Sequence, residues 1–467
     1  MSSLIAEADC TMNRNIVVAL TILISGSAAH LRAQDRNATT TAAAFGPYEY
    51  ETRPDHEAFR SFNPRKAPAP GGLLLKEGDR LAICGDSITE QKMYSRLIET
   101  YLTVCVPQLK ITVRQYGWSG EKTDGFLRRM DKDCLTFKPT VATLAYGMND
   151  SRYRPFDVTN GRWYEDHYTA IVRRFKENNV RVVVGSPGSA GKIAAWVKSR
   201  AGNLEQHNIH LCALRDIAMG VAEREDVRFA DIFWPMLQAQ VLAPAQHNAT
   251  AEKPYLVAGG DGIHPGWAGQ VIMAWSMLRS MGLDGEIGTV TVNLTDGKAS
   301  ASDGHQVDAF ANGKLTLTSS RYPFCASGDL HDHNSIRSGM TLVPFAEELN
   351  RFILKLDAPK TGKYRVTWGD NSREYSSEQL TAGVNLAWDF EENPFRTSFD
   401  DVSAAVGAKQ AYETHQIKRV FHSREASDDL EAIVRKTEAE RQPLAEAIAK
   451  AMRPVTHSVE IRAVEGQ

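Results

Sequence analysis

The chain has 467 residues, of which 42% are hydrophobic and 24% charged, and its formal net charge at pH 7 is -3. This length predicts two domains, with enough apolar residues to bury a core. The near balance of charge provides neither a basic surface for nucleic acid nor an attraction to an anionic membrane surface, so it argues against both classes of partner.

The N-terminal segment has the order of residues found in a secretory signal peptide. Arg14 precedes the apolar run 16–24, and small residues follow that run. The run is too short to span a bilayer comfortably, and no other stretch of the chain is long and apolar enough to span one. We predict a signal peptide over 1–33, cleaved after Ala29 or Ala33, and export to the periplasm or the extracellular space. A buried N-terminal helix is the alternative.

Cysteine usage predicts no disulfide framework. Removing Cys10 with the signal peptide leaves an odd number of widely spaced cysteines, among which a single bridge stays open. The sequence contains no C-x-x-C or H-E-x-x-H pattern, and the His-Asp-His run at 331–333 stands alone in a loop rich in Gly, Asp and Ser. We therefore predict neither a metal site nor a cofactor.

After a predicted linker over 34–72, an apolar run at 81–84 ends in Gly-Asp-Ser, and apolar residues at helical spacing follow. This pattern predicts a buried parallel strand with Ser87 at its end, where a helix begins. Ligands of open parallel sheets gather at that edge, and a helix N-terminus offers free N–H groups to a developing oxyanion. We therefore interpret Ser87 as a nucleophile.

Strand and helix patterns then alternate along the chain. The predicted strands lie at 111–116, 141–146, 180–184 and 227–232, and the predicted helices at 124–134, 164–178, 204–223 and 267–281. Parallel strands need such crossovers, so we predict a three-layer α/β/α fold with a doubly wound parallel sheet. The flavodoxin-like strand order is the commonest solution for five strands.

In such a sheet the loops after successive strands meet at one edge. Ser87, Gly120 and Asn149 lie in three of these loops, and a fourth loop, rich in glycine, contains Asp261 and His264. That spacing allows a carboxylate beside imidazole Nδ1 while Nε2 faces Ser87 Oγ. The pattern follows the logic of serine, histidine and acid in nucleophilic catalysis.

Over about residues 74–281 the chain resembles the SGNH hydrolase superfamily, also called GDSL esterases and lipases. All four blocks of that family occur in the correct order, as Gly-Asp-Ser at 85–87, Gly120, Gly-x-Asn at 147–149 and Asp-x-x-His at 261–264.

The resemblance implies that Ser87 attacks an acyl ester, that His264 takes its proton and that Asp261 orients His264. It also implies an oxyanion hole made by the backbone N–H groups of Ser87 and Gly120 and by the side-chain amide of Asn149. We interpret Asp86 and Asp150, which flank the blocks, as structural hydrogen-bonding residues.

From about residue 286 the pattern changes to short alternating β runs. The predicted strands are 289–294, 314–318, 352–356, 364–368 and 458–464, with 359–362 as a hairpin loop and with helical stretches at 379–421 and 428–452. We predict a smaller C-terminal accessory domain over 286–467, containing an antiparallel sheet or sandwich, beside a catalytic domain over 73–285.

Two roles are open for the C-terminal domain. It holds a polymer near the site through exposed aromatic residues such as Trp368 or Trp388, or it only packs against the catalytic domain or mediates assembly. It has a general likeness to the tails of exported bacterial SGNH proteins, and this likeness carries no clear function.

Together these features predict an exported serine esterase that hydrolyses a short-acyl ester, with an acetyl group on a carbohydrate as the expected substrate. The expectation of a carbohydrate substrate depends on export, on the absence of a long apolar lid-like segment for fatty chains, and on Trp118. The indole of Trp118 is either a stacking surface for a sugar or a wall of the core. A lipid esterase or lysophospholipase, a non-catalytic polysaccharide-binding protein, and acyl transfer to a sugar hydroxyl are the alternatives. The oligomeric state stays open.

Overall fold

The computed structural model describes residues 39–41, 48–197 and 202–464. The predicted signal peptide over 1–33 and Cys10 lie outside the described residues. In the part of the chain that is described, no helix combines the length and the apolar character needed to cross a bilayer.

A five-stranded parallel sheet forms the centre of the N-terminal half. The strands of this half are β1 (Thr39–Thr41), β2 (Thr52–Pro54), β3 (Arg80–Gly85), β4 (Thr112–Gly117), β5 (Val141–Ala145), β6 (Arg181–Gly185) and β7 (Arg228–Ala230). Strands β1 and β2 form a separate antiparallel pair. The central order is β4-β3-β5-β6-β7 with every pair parallel, which is the flavodoxin-like order, so the predicted fold class is confirmed.

Seven α-helices accompany these strands in the described chain. They are α1 (Ser87–Glu90), α2 (Tyr94–Val104), α3 (Thr123–Asp133), α4 (Val158–Glu177), α5 (Leu204–Glu225), α6 (Phe233–Gln246) and α7 (Trp267–Ser280). The sequence pattern did not predict α6, because Pro235 and Pro244 interrupt it and its apolar residues lack a clear helical spacing.

Alternate residues of the central strands pack into two different apolar layers. Leu81 and Ile83 of β3 face α2 and α7, whereas Ala82 and Cys84 face α3, α4 and α5. Side chains of a strand point alternately to the two faces, so a strand covered on both faces reads as a continuous apolar run. This burial explains why β3 has no polar alternation.

Residues 48–72, which fall in the predicted linker, pack on the α/β layers. The rings of Phe59 and Phe62 are buried against Trp234 and Phe233 of α6. The sequence showed no periodicity there, because these two aromatic residues stand in a segment rich in proline and charged residues.

Two further sheets build the C-terminal region. Their strands are β8 (Glu286–Asn293), β9 (Lys298–Ala301), β10 (His305–Ala311), β11 (Lys314–Ser319), β12 (Arg351–Leu356), β13 (Lys363–Trp368), β14 (Asn371–Ser376), β15 (Val384–Asn385) and β16 (Val455–Ala463). One sheet has the order β10-β11-β16-β13-β14 and the other β15-β12-β8-β9. The prediction of a β-rich C-terminal part is therefore confirmed.

The five-stranded C-terminal sheet is antiparallel throughout, as predicted, but two details of the prediction are wrong. Strand β12 pairs in parallel with β8, so the second sheet is mixed instead of antiparallel. Strands β12 and β13 belong to different sheets, so residues 359–362 connect the two sheets and form no hairpin. An alternating pattern identifies the buried face of a strand but does not identify its neighbour.

The C-terminal region also contains helices, and the one over Arg396–His415 covers the open edge of the central sheet. They are α8 (Ile336–Gly339), α9 (Phe345–Glu348), α10 (Ser377–Ala382), α11 (Leu386–Asp389), α12 (Arg396–His415), a π-helical turn (Gln416–Val420), α13 (Arg424–Asp428) and α14 (Leu430–Ala451). In α12, Lys409 Nζ donates to Val113 O at 2.6 Å, and Glu413 Oε2 accepts the N–H of Gln115 at 3.2 Å. Side chains thus satisfy backbone groups that edge strand β4 would otherwise expose.

The aromatic residues suggested as a polymer platform are not free. Trp368 is 0% exposed and packs between Phe352 and Phe390, so a platform role for this residue is wrong. Trp388 is half-buried against the same core. The five described cysteines are all buried and unbridged.

Candidate active site

Ser87, His264 and Asp261 meet at the carboxyl end of the central sheet. Ser87 is the first residue of α1, directly after β3, and the other two side chains come from the loop before α7. His264 Nε2 lies 2.7 Å from Ser87 Oγ, and His264 Nδ1 lies 2.6 Å from Asp261 Oδ2. The strand order reverses beside β3, and open α/β sheets bind ligands at such a switch point.

The Asp261 carboxylate determines which nitrogen of His264 carries the proton. Its second oxygen, Oδ1, accepts the N–H groups of Ile263 at 2.9 Å and of His264 at 2.8 Å. Partial burial raises the pKa of Asp261, but the hydrogen bonds from His264 and Ile263 outweigh burial and hold this pKa below its ordinary value. An ionised Asp261 accepts Nδ1–H, which leaves the Nε2 lone pair facing the Ser87 hydroxyl.

Gly120 and Asn149 lie in the loops after β4 and β5. Gly120 has a φ of +73°, a left-handed conformation that favours glycine, and its N–H donates to no residue that the structure describes. The Asn149 amide Nδ2 donates to Glu121 O at 3.1 Å and to Asp86 Oδ2 at 3.2 Å. Because Asp86 directly precedes Ser87, the amide lies beside the loop that carries the serine.

The two flanking aspartates hold these loops together, as the sequence predicted. Asp86 caps α1 by accepting the N–H of Ile88 at 2.9 Å. Asp150 accepts the N–H and the hydroxyl of Thr123 at 2.9 and 2.7 Å and the N–H of Gly147 at 3.0 Å. Burial raises the pKa of Asp86 to about 7 and that of Asp150 to about 6, since the charged form loses its hydration.

Trp118 is surrounded by cationic and aromatic groups. The Arg129 guanidinium lies 5.0 Å and Lys418 Nζ 5.2 Å from its ring, and the His422 ring meets it edge-on at 5.1 Å. The sugar-stacking role suggested for Trp118 stays a prediction.

Two aromatic residues next to His264 were missed by sequence reasoning. Trp196 is 50% exposed and its ring centroid lies 5.9 Å from that of His264. Tyr153 meets Trp196 edge-on at 6.2 Å and donates its hydroxyl to Asn149 Oδ1 at 2.8 Å. The one available sequence clue was their position in loops after β5 and β6, at the same edge of the sheet as Ser87.

The residues that the structure describes contain no group of three or more His, Cys, Asp or Glu side chains able to hold a metal ion. The chemistry available at this edge is that of a serine hydroxyl bonded to an imidazole, with N–H donors in the neighbouring loops.

Residues 83–272 match the GDSL-like Lipase/Acylhydrolase family. No curated protein matches the chain. Among solved structures, a gut microbial diltiazem-metabolizing enzyme is 20% identical with a TM-score of 0.66, covering 84% of this chain and 100% of its own. At this level of identity the likeness shows the fold, and it extends over the C-terminal sheets.

Smaller structures resemble less than half of the chain. An acetylxylan esterase from Geobacillus stearothermophilus, solved as a catalytic mutant, is 20% identical with a TM-score of 0.36 and covers 45% of this chain and 97% of its own. A protein from Parabacteroides merdae described as a putative GDSL-like lipase is 23% identical with a TM-score of 0.37, and the match covers 45% of this chain and 99% of its own. The family match identifies the segment 83–272 as one of the GDSL-like lipases and acylhydrolases of the SGNH hydrolase superfamily, and the protein is a hydrolase of carboxylic esters.

Proposed function

We propose that the protein is an exported serine esterase that removes short acyl groups, such as acetyl, from a carbohydrate. Ser87 is the nucleophile, His264 the general base and acid, and Asp261 the residue that orients His264. The observation that carries this proposal is the unbroken hydrogen-bond chain from Asp261 Oδ2 through His264 to Ser87 Oγ, with contacts of 2.6 and 2.7 Å.

The reaction follows from this geometry. Ser87 Oγ attacks the ester carbonyl carbon while His264 Nε2 takes the hydroxyl proton, and the carbonyl oxygen becomes an oxyanion. His264 then gives the proton to the leaving alcohol, and an acyl-serine remains. Water attacks this acyl group with His264 again as base, which releases the acid and restores Ser87. Asp261 stays ionised and stabilises the imidazolium that forms in each step.

The oxyanion is held by the N–H groups of Ser87 and Gly120 and by the Asn149 amide. Gly120 offers an N–H that has no protein acceptor among the described residues. The Asn149 amide donates to a carbonyl and a carboxyl in the resting site, and the full charge of an oxyanion competes for one of these N–H bonds.

The openness of the site supports a small acyl group on a large polar alcohol. The side chains of His264 and Asp261 are 27% and 36% exposed. A bulky alcohol can approach such a site from solvent, whereas a long acyl chain gains its binding energy from apolar surface that encloses it. The half-exposed indole of Trp196 beside His264 provides a flat surface on which a sugar ring can stack.

Export is the part of the proposal that depends on the sequence alone. It rests on the charged, apolar and small-residue order within residues 1–33. The N-terminal sequence of the protein recovered from the periplasm or medium of its host tests this step.

The esterase activity is tested with p-nitrophenyl acetate and p-nitrophenyl octanoate. We expect faster turnover of the acetate, and a loss of kcat by about 10⁶-fold in Ser87→Ala, because the nucleophile is removed. Ser300→Ala, at an exposed position of β9, is the matched control and keeps full activity. Circular dichroism checks that all three proteins are folded.

Each outcome of this experiment has a defined meaning. If folded wild-type protein and Ser87→Ala behave alike on every ester, the serine-esterase proposal is contradicted. If octanoate is the better substrate and Ser87 is required, the short-acyl step is wrong and the lipid-esterase alternative takes its place.

A further inference from the structure

We propose that residues 416–422 of the C-terminal region, here called the bracing segment, position the loop that carries Gly120. Lys418 is the positioning residue at its centre. This inference rests on the proposed function, because it assigns a purpose to the geometry of the oxyanion hole. It also answers the question left open by the sequence, since it makes the C-terminal region a part of the catalytic unit.

Glu90 connects the proposed nucleophile to the Gly120 loop. It is the last residue of α1, which begins at Ser87, and its carboxylate accepts the N–H of Ser119 at 2.5 Å and the Ser119 hydroxyl at 2.6 Å. Ser119 directly precedes Gly120, so these two bonds fix the residue from which the Gly120 N–H extends. A short helix thus carries the serine at one end and holds the oxyanion loop at the other.

Lys418 pairs with this same carboxylate from the C-terminal side. Its Nζ lies 2.7 and 2.8 Å from the two carboxylate oxygens of Glu90. Partial burial raises the pKa of Glu90, but the bonds from Lys418 and Ser119 outweigh burial and keep this pKa below its ordinary value. An ionised Glu90 near a developing oxyanion is unfavourable by itself, and the Lys418 ammonium neutralises it.

The bracing segment also contacts Trp118, which lies two residues before Gly120. Lys418 and His422 both lie against the ring of Trp118, whose other neighbour is Arg129. Arg129 forms two bonds of 2.7 Å with the Glu121 carboxylate. The backbone carbonyl of Glu121 in turn accepts the Asn149 amide. Glu121, which directly follows Gly120, therefore contacts both Asn149 and Arg129, and the bracing segment packs against Trp118 beside Arg129.

The position of the bracing segment is fixed by α12. That helix is bonded to the backbone of β4, the strand that leads into the Gly120 loop. At the end of α12 the chain makes a π-helical turn over Gln416–Val420, which contains Lys418. Such turns are rare and occur frequently at functional sites, because the wider turn changes the direction of the following side chains.

A simple surface ion pair is the competing explanation, and surface pairs contribute little to stability. Lys418 and Glu90 are only 22% and 20% exposed, and the pair shares its carboxylate with two hydrogen bonds from Ser119. A structural pair would change the melting temperature of the protein. A positioning pair changes kcat, since the oxyanion donors act in the transition state.

The first test compares Lys418→Met with Lys418→Arg. We expect Lys418→Met to lower kcat for p-nitrophenyl acetate by roughly 10-fold with KM changed less than about twofold, which is smaller than the effect of deleting an oxyanion donor. Lys418→Arg restores most of kcat because it keeps the charge and can bond both oxygens. Arg453→Met, which breaks the exposed pair with Asp401 in the same region, is the matched control and leaves kcat unchanged.

A second measurement does not depend on activity. Hydrogen exchange resolved to the Ser119 amide reports whether the bond to Glu90 is held, and we expect faster exchange in Lys418→Met than in wild-type protein or Arg453→Met. Unchanged kcat and unchanged exchange in Lys418→Met overturn the inference. A lower melting temperature with unchanged kcat also overturns it, because the pair is then only structural.

The two proposals fail in different ways. If a fluorophosphonate probe does not label Ser87 of the wild-type protein, the proposed function fails, and the exchange measurement still decides whether the bracing segment holds the loop. If the probe labels wild-type protein and Lys418→Met at the same rate, and kcat is also equal, the esterase proposal stands and the bracing segment has no positioning role.

Discussion

Two of the arrangements in which a serine is bonded to a histidine differ in their surroundings, one at the edge of the central sheet and one between the two C-terminal sheets. At the edge of the central sheet, Ser87 Oγ lies 2.7 Å from His264 Nε2. Between the two C-terminal sheets, Ser319 Oγ lies 2.8 Å from His305 Nδ1 and 3.0 Å from His457 Nε2.

The hydrogen bonds of the inner arrangement run in one direction. The Trp368 indole N–H donates to His457 Nδ1 at 3.1 Å, so His457 Nε2 carries a proton and donates it to Ser319. Ser319 donates to His305 Nδ1, and His305 Nε2–H donates to Ile287 O at 2.9 Å. Both imidazoles are therefore neutral, and burial lowers the pKa of His457 to about 3 and also lowers the pKa of His305.

The two arrangements differ in the exposure of the serine and in the groups that contact the histidines. The inner serine is fully buried and its histidines contact a tryptophan and a backbone carbonyl. The outer serine, Ser87, is partly exposed and is the first residue of α1. Its partner His264 is bonded to the carboxylate of Asp261. We expect the outer arrangement to determine activity and the inner one to determine stability.

Among variants that keep Ser87, the largest expected effect is that of Asp261→Asn. The amide cannot hold His264 in the tautomer that accepts the Ser87 proton, so we expect kcat to fall by about 10⁴-fold while the fold is retained. Asp370→Asn, in the exposed turn between β13 and β14, serves as the control. Steady-state hydrolysis of p-nitrophenyl acetate measures both, and a loss below tenfold would show that the carboxylate does not orient the histidine.

Asn149→Ala removes one proposed oxyanion donor. Loss of such a donor typically lowers kcat by about 10²- to 10³-fold, and KM changes little because the charge develops only in the transition state. Separate determination of kcat and KM checks this split. A rise in KM with kcat unchanged would assign Asn149 to substrate binding and contradict its role in the oxyanion hole.

Ser319→Ala tests the inner arrangement. We expect full esterase activity and a free energy of unfolding lower by about 1 to 3 kcal/mol, since His305 Nδ1 and the N–H of His457 each lose a buried partner. Urea denaturation together with the acetate assay distinguishes this result from catalysis. Lost activity in a folded Ser319→Ala protein would refute the division between the two arrangements.

The inner histidines also predict a dependence of stability on pH. His457 has a folded pKa of about 3 and an ordinary value of 6.5, so the unfolded chain binds the proton first and the contribution of neutral His457 is lost as pH falls from about 6.5 towards 3. His457→Gln removes this titration. The stability of wild-type protein relative to His457→Gln should therefore decrease by up to about 1.4 kcal/mol per pH unit on acidification.

Urea denaturation at pH 7, 6, 5 and 4 measures this difference. The comparison with His457→Gln is needed because the raised pKa values of Asp86 and Asp150 act in the opposite direction in both proteins. A difference in stability that is constant over this range would show that burial between the two C-terminal sheets does not hold His457 neutral.

The sequence by itself determined the central sheet and the position of the proposed triad. An apolar run ending in Gly-Asp-Ser is a local pattern, and so are the glycine-rich loops that carry Gly120 and His264. In a doubly wound sheet every such loop reaches the same edge, so the periodicity of each segment was enough to place Ser87 near Asp261 and His264. The hydrogen-bond distances then came from the folded chain.

Only the tertiary structure decided which distant segments touch. The pairing of β12 with β8, the contact of Trp196 with His264, the Lys418–Glu90 pair and the inner serine have no local signature. Periodicity and turn chemistry specify one segment at a time, because they depend on backbone geometry over a few residues. Contacts between segments hundreds of residues apart depend on how whole layers pack, and that information belongs to the assembled core.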